Sequence, residues 1–439
     1  MRPYASFATI LFALSLGACA SGTSGRSIAR LEEAQRAEPG SFSVNRSLGI
    51  RYYEARRYDE ARAALQTASR LDPNDGTTAL YLGLVAEEVG DLAVAKRAYS
   101  AYLSVGRTSR VRSQLQARLA ALTRREIAED AKRSVQQERA LGTSVGSPTT
   151  VAVMPLRFSG SDSSLRPLGR GLAELLTTDL ARSKQLTVLE RARIQAVLDE
   201  IALQKSGQTD AATNVRAGRV LRAGRLVQGT ILQLDTSRLR VDAAVVDVPT
   251  TRVRGVAQGS DELEQLFALE KRIALDLFDD LGVTLTVAER NAIEQRPTRS
   301  LAAFLAYSRG LTAEDERRYD DASRFYRDAI RIDPGFGEAL QKDREVRELV
   351  TGERLSPRSI ETRLAGSVNG GRGRRGSASD AAHAAADDLN PSSSKAATAP
   401  GHSGEHGPPE KDAASAATNT DKPGKNGRGV MMSARRGKT

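Results

Sequence analysis

Tryptophan is absent from the 439 residues, cysteine occurs once and histidine three times. All three histidines, His383, His402 and His406, lie near the C-terminal end, away from every stretch with apolar periodicity. The part expected to fold therefore excludes Ser-His-Asp and Cys-His catalysis and lacks the usual zinc ligands. No paired acidic motif stands out from the helical charge pattern. The expectation is accordingly no catalytic residue, no cofactor, no metal site and no enzyme. An aromatic content of 4% points to helix packing through small residues instead of large aromatic clusters. Beyond residue 19 no run of about 18 apolar residues occurs, so no membrane-spanning helix is expected. A formal charge of +11 suits anionic envelope surfaces as well as any other anion, and charge alone does not choose among them. Nucleic acid is not an expected partner of an exported protein.

The export reading rests on the lone cysteine. "FALSLGACASG", residues 12–22, carries Cys19 behind the apolar run Phe7 to Leu16, itself preceded by Met1 and Arg2. A short positive start, a short apolar run and small residues make a secretory signal over residues 1–18, too short to span a bilayer. Leu16-Gly17-Ala18-Cys19 resembles a bacterial lipobox. That resemblance implies lipid attachment at Cys19, which becomes the mature N-terminus. Ala20 in place of aspartate implies sorting to the outer membrane, with the chain on the periplasmic face. A single cysteine also fits an oxidising compartment in which the chain avoids disulfides.

What the chain does have is a repeat. "NRSLGIRYYEARRYDEARAALQTASRLDP" sets Leu48, Gly49, Tyr52, Ala61, Leu65, Ala68 and Pro73 at the offsets of a tetratricopeptide repeat. Small Gly49 and Ala61 stand where two helices must approach, and Pro73 stops the second one. One 34-residue period later come Leu82, Gly83, Ala86, Ala95, Tyr99 and Tyr102. One period earlier, Leu31, Ala34 and Pro39 match a second helix. The array spans residues 19–107. Residues 108–148 then read as a charged connecting helix with Val111, Leu115, Leu119, Leu122 and Ile127 on one face, followed by the linker "GTSVGSP".

Over 149–283 the period changes. "TTVAVMPLRF" is a β-branched apolar run, a buried strand. "SSLRPLGRGLAELLTTDLARS" is an amphipathic helix. "QLTVLER" reads as a strand, and "ARIQAVLDEIALQ" and "AATNVRAGRVLRA" as helices. "RLVQGTILQLD", "RLRVDAAVVDV" and "TRVRGVAQ" form a strand meander joined by short links. Asp261 and Glu264 look like a capping pair opening a last helix that ends at Gly282. Together these predict a mixed-sheet α/β sandwich.

Four ordered blocks, "VAVMPLRFSG", "LGRGLAELLTTDLARSKQLTVLERARIQAVLDE", "AGRVLRAGRLVQGTILQLD" and "LRVDAAVVDVPTTRV", resemble the CsgG family of curli-secretion lipoproteins. Families of similar fold include outer-membrane lipoproteins that activate peptidoglycan synthases and the N-terminal domain of TolB. The resemblance implies a periplasmic domain able to self-associate. It also marks a departure. The curli channel builds its barrel from two long hairpins, and here only "LQLDTSRLRVDA" and "TRVRGVAQGSDE" occupy their places. A membrane strand needs about 9–11 residues, so neither place holds a hairpin.

Residues 298–348 return to the repeat, with Gly310, Ala313, Ala322, Tyr326, Ala329 and Pro334 at the offsets of Gly49 to Pro73. A single unit cannot bury both faces alone, so it must dock on the central domain, the array or another protein. From 366 to 439 the composition is that of a disordered basic tail. Its "GRGRRG" spells a dinucleotide motif without the strand and helix that motif requires.

The fold class is thus α and α/β, with helical hairpins flanking a mixed-sheet domain. The expected function is an outer-membrane-anchored scaffold or assembly factor in envelope biogenesis or secretion. It would bind envelope proteins or peptides through its repeats, the membrane through its lipid and other copies through the α/β domain. A subunit of a CsgG-like export channel and a lipoprotein regulator of a peptidoglycan synthase are the alternatives. Stable anchoring requires more than one acyl chain, all of them attached through Cys19. Cys19→Ser should therefore leave the protein uncleaved or release it to the soluble periplasmic fraction. Membrane fractionation reads this, and a processed variant that still sediments with membranes would refute lipid attachment at Cys19.

Overall fold

Small residues set the first helical hairpins. In a computed structural model, which describes residues 18–105, 109–138, 146–204 and 211–362, helices α1 (Ala18–Ala37), α2 (Phe42–Glu54), α3 (Tyr58–Leu71), α4 (Gly76–Glu88) and α5 (Leu92–Val105) pack in sequence. A Cβ on Gly49 would strike the side chain of Leu65, and one on Gly83 would strike the ring of Tyr99. Glycine is what lets each pair of axes approach so closely. Between the helices of a pair the chain must turn left-handed. Arg56 (φ 61°) and Gly90 (φ 79°) do so at equivalent places. Asp72 leaves α3 with extended φ of −135° because Pro73 disfavours the helical region before it. The long helix α6 (Ser109–Gln136) then covers the end of the array through buried Val111, Leu115 and Leu122. Leu119 and Ile127 are only half-buried.

Next comes the sheet. The apolar run at 149–158 is not one strand but two, β1 (Thr150–Val153) and β2 (Arg157–Ser159), because Pro155 brings no N–H to the ladder. Both pair in parallel with β4. Helix α7 (Leu168–Leu180) follows a 3-10 turn at 163–165, and "QLTVLER" contributes only the two-residue strand β3 (Thr187–Val188). Helices α8 (Arg191–Gln204) and α9 (Ala211–Val220) precede β4 (Arg225–Gln233), β5 (Arg238–Asp247) and β6 (Val253–Glu262). The order is β3-β1-β4-β5-β6, with β1, β2 and β3 parallel to their neighbours and β4-β5-β6 antiparallel. Strand β6 runs to Glu262, so Asp261 does not cap the next helix. It pairs with Leu239 in the ladder, and its carboxylate accepts from Arg272 at 2.7 Å. Helix α10 (Leu266–Leu281) starts after a 3-10 turn and ends as expected at Gly282, φ 70°.

After α11 (Val287–Ile293), the last hairpin is α12 (Leu301–Asp315) and α13 (Tyr319–Ile332), followed by α14 (Gly337–Arg354). It repeats the first hairpin's devices. Arg317 turns left-handed (φ 59°), Asp333 is extended before Pro334, and a Cβ on Gly310 would collide with the Tyr326 ring. This hairpin docks on the sheet domain. Val227, Ile231 and Val241 of the sheet, Leu172 and Leu176 of α7, Phe267 and Phe278 of α10, and Phe304, Tyr307 and Tyr326 belong to one continuous core. The rings of Phe267 and Phe304 meet edge-on, with centroids 5.3 Å apart. The other sheet face, with Leu226, Val246 and Val248, packs under α8, α9 and the end of α6. Helix α14 lies along α6 so closely that a Cβ on Gly352 would overlap the Ala117 carbonyl. The signal up to residue 17 and the tail from 366 lie outside the described residues.

Replacing Gly310 by leucine drives bulk into the Tyr326 contact, at a typical cost of about 1–3 kcal/mol. Because that contact belongs to the core under the sheet, the repeat should not loosen by itself. Thermal unfolding should shift down as one transition, and limited proteolysis should expose both 301–340 and 149–283. A variant in which only 301–340 became labile would show that the hairpin's packing is separable from the sheet's.

Candidate interaction sites

Charge placed where helices end is the first unusual feature. Glu314 and Asp315 close α12, although carboxylates at a helix C-terminus oppose the helix dipole. Arg191, the first residue of α8, compensates. Its Nη2 lies 2.8 Å from Glu314, its Nε 3.3 Å from Glu174 of α7, and its Nη1 donates to Asp315, with 13% of the side chain exposed. Arg170 reaches Asp315 at 3.3 Å, Lys342 of α14 reaches Glu174 at 3.6 Å, and Arg124 of α6 reaches Glu314 at 4.0 Å. The Tyr326 hydroxyl donates to Glu314 at 2.8 Å. Burial opposes the Arg191 charge, but Glu314, Asp315 and Glu174 outweigh it and hold the guanidinium well above its usual range. Burial pushes Asp315 up, whereas Arg191 and Lys342 overcome it at Glu314 and hold that carboxyl low. The cluster clamps α6, α7, α8, α12 and α14 at one point.

A second buried set sits between α7 and α10. Lys271 donates to Asp179 at 2.6 Å and lies 3.2 Å from Glu270. One cation serves two carboxylates, and burial first, then Asp179, pushes Glu270 well up. The first set borders open space: Arg170 walls the cleft over the sheet, and Asp315 and Arg124 line a second cavity of about 670 Å³ between α6 and α8.

The larger open surface lies over the sheet. Leu239, Val241, Ala243 and Val245 alternate into the core, which turns Arg240, Asp242 and Ala244 to the other face. Helices α8 and α9 cover only the Val246 end of that face. The remainder is a cleft of about 740 Å³, floored by Gln228, Thr230, Asp242, Ala244 and Val256 and walled by Arg166, Arg170, Leu198 and Asp199. Its polar lining is largely self-paired: Asn214 donates to Gln228 at 3.1 Å, Arg170 to Gln195 at 2.8 Å, and Gln195 to Asp199 at 2.6 Å. At the sheet edge, β6 exposes Val253 and Val256, and among the described residues no strand pairs with its outer side. The links that matter for a membrane barrel are short. Residues 234–237 join β4 to β5, and β6 ends directly before the turn into α10. The family's membrane hairpins are missing, and among the described residues no helix is long and apolar enough to cross a membrane.

Residues 144–242 match the family model of the curli production assembly/transport component CsgG. The chain carries a CsgG domain. Its match runs from the segment before β1 to the middle of β5, so β6 and α10 complete the domain beyond it. Residues 305–336, within α12 and α13 and the loop after them, match a tetratricopeptide repeat model. No curated protein matches the chain. A solved structure, the LpoB C-terminal domain from Salmonella enterica, is similar at 14% identity over 30% of this chain and 93% of that one, with a TM-score of 0.21. A likeness of that size carries no argument.

The residues singled out in sequence occupy the repeat hairpins. Leu48, Ala61, Leu65, Ala68, Ala95, Tyr99, Ala322, Tyr326 and Ala329 are fully buried, and Tyr52 is nearly so. Leu82 is half-buried, and Pro73 and Pro334 are exposed. Tyr52 donates to Glu32 of α1 at 2.7 Å, tying the half-unit to the first full one. Cys19 lies in the first turn of α1. Sequence reasoning missed Arg191, Glu174, Glu314 and Lys342, which read as ordinary surface charge. One signal was present: Glu87 precedes Tyr99 by the spacing that separates Glu314 from Tyr326, and Tyr99 donates to Glu87 at 2.9 Å.

Arg191→Met removes one partner from a buried cluster and leaves three carboxylates facing one another, which should cost about 3–5 kcal/mol. Arg238→Ala, which breaks an exposed pair with Asp235, should change nothing measurable. Denaturant unfolding of both variants distinguishes them. Equal stabilities would show that the cluster does not clamp the helices.

Proposed function

We propose that the protein is a periplasmic scaffold or assembly factor, held in the outer membrane by lipid on Cys19 and without enzymatic activity. Its CsgG domain serves as a mount, and its repeats are the arms that take envelope proteins or peptides. The observation that carries this reading is the shared core: the hairpin of α12 and α13 is built into the CsgG domain through Phe267, Phe304 and Tyr307. A binding module fixed so firmly to a secretion-family core, with no membrane hairpin among the described residues, supports assembly work over conduction. Repeat arrays present extended surfaces to peptides and helices, in keeping with that role.

A second reading, a ring subunit of an export channel whose pore other chains supply, draws on the uncovered edge of β6 and its exposed Val253 and Val256. Such an edge is a template for pairing with another copy. Two measurements separate the readings. Crosslinking in intact cells, then purification from membranes, should recover envelope proteins joined to residues 42–105 or 301–354. The purified lipidated protein should give no discrete conductance steps in planar bilayers, because residues 149–283 lack the length for two membrane hairpins and so form no closed barrel. Reproducible steps, or crosslinks only between copies of this chain, would overturn the scaffold reading.

A further inference from the structure

Beyond α14 the chain turns back to the N-terminal repeats. Leu355 is extended (φ −84°, ψ 135°), Ser356 and Ser359 exchange N–H to hydroxyl bonds, and residues 357–362 are helical. Leu355 and Ile360, 4% and 0% exposed, join the core of the array formed by α2 to α5. Between them Arg358 lies 3.9 Å from Glu88 of α4 and donates to the Tyr58 hydroxyl at 3.4 Å. Glu361 comes to rest near Tyr53 and Glu54 of α2 and Tyr81 and Glu88 of α4. The segment thus lies across the first helices of both full repeats, as a bound peptide would.

The fit is incomplete. The hydroxyls of Tyr53 and Tyr81 are buried there without hydrogen-bond partners, so each loses water and gains nothing in return. Glu361 is half-buried beside two like charges, and desolvation first, then Glu54, pushes its carboxyl up to about 7. These costs weaken the seat of the segment on α2 and α4 and make it easier to displace.

We propose that residues 355–362 are a self-ligand occupying the protein-binding face of the N-terminal repeats. The partner that displaces them is a peptide of the same chemistry, an apolar residue, an arginine and a second apolar residue spaced as Leu355, Arg358 and Ile360. It rests on the reading of the repeats as protein-binding arms and names what one arm takes. Arg118 holds the Gly352 carbonyl at 2.8 Å, so the leash to the segment is short. A short leash gives a millimolar effective concentration, so a free copy of the segment with a dissociation constant near 100 µM should bind the intact chain on the order of tenfold more weakly than an emptied face.

The test uses a fluorescein-labelled peptide of residues 353–362, followed by polarisation against the full chain and against full-chain Ile360→Asp. Full-chain Arg358→Glu, at a half-exposed position, serves as a second variant, and circular dichroism checks that each remains folded. Both variants should bind the peptide about tenfold more tightly than the wild type, and a peptide carrying Arg358→Glu should bind none of them. Equal affinity for wild type and variants would overturn the self-ligand and leave the arms as binding sites. Binding by none of the three, with crosslinks from residues 42–105 to envelope proteins still formed in cells, would overturn the peptide chemistry and spare the scaffold. If those crosslinks were also missing, both readings would fall.

Discussion

The guanidinium of Arg191 is the point on which the arrangement of parts depends. Glu314 and Asp315 end a helix with the wrong sign for its dipole, and Glu174 adds a third carboxylate from α7. Without a cation at their centre these helices would repel one another in a region that water scarcely reaches. With it, the first helix of the last repeat, the first helix of the CsgG domain and the long α6 meet. The gain in stability over an apolar junction is modest, since each charge is desolvated. What the cluster supplies is position: only one arrangement of α7, α8, α12 and α14 brings all its members together.

Around that point the apolar terms do the larger share of the work. A continuous core runs from β4 and β5 through α7 and α10 into the last repeat. A lone repeat leaves one face bare, and here the CsgG domain covers it. Helix α6 serves three masters, closing the N-terminal array with Val111 and Leu115, meeting α8 with Ala131 and Val135, and lying against α14 at Ala117. Its charged residues Arg125, Glu129, Lys132 and Arg133 keep to the side left exposed. The last repeat and the CsgG domain therefore share one core, and α6 and α14 join the N-terminal repeats to it.

Chemistry follows from the same economy. Arg191 is committed to three acids and Lys271 to two. The cleft over the sheet has its amides and carboxylates largely paired across its own walls. What remains to interact are faces: the repeat helices α2 and α4, the cleft and the β6 edge.

Much of this was legible in the residues. The glycine and small-residue spacing of the repeats is local, since Gly49 and Leu65, or Gly310 and Tyr326, lie within one hairpin and meet whatever surrounds it. The alternation of β4 and β5 and the shortness of their link are local too, so the CsgG resemblance and the missing membrane hairpins could be read directly. Pro155 was also in view, yet its splitting of β1 from β2 went unread because the apolar run continued past it. Other features have no local signature. Asp261 satisfied a capping pattern and was taken instead into a ladder with Leu239, a choice made by the partner strand. Arg191 and Glu314 are 123 positions apart and look like solvated charges until the fold removes the water between them. The docking of the last repeat and the return of Leu355 and Ile360 to the first ones depend on long-range contacts alone. Residue type and spacing determined the hairpins and the strands; which hairpin lies on which face was decided by tertiary packing, because burial and ion pairing between distant segments carry no trace in either segment by itself.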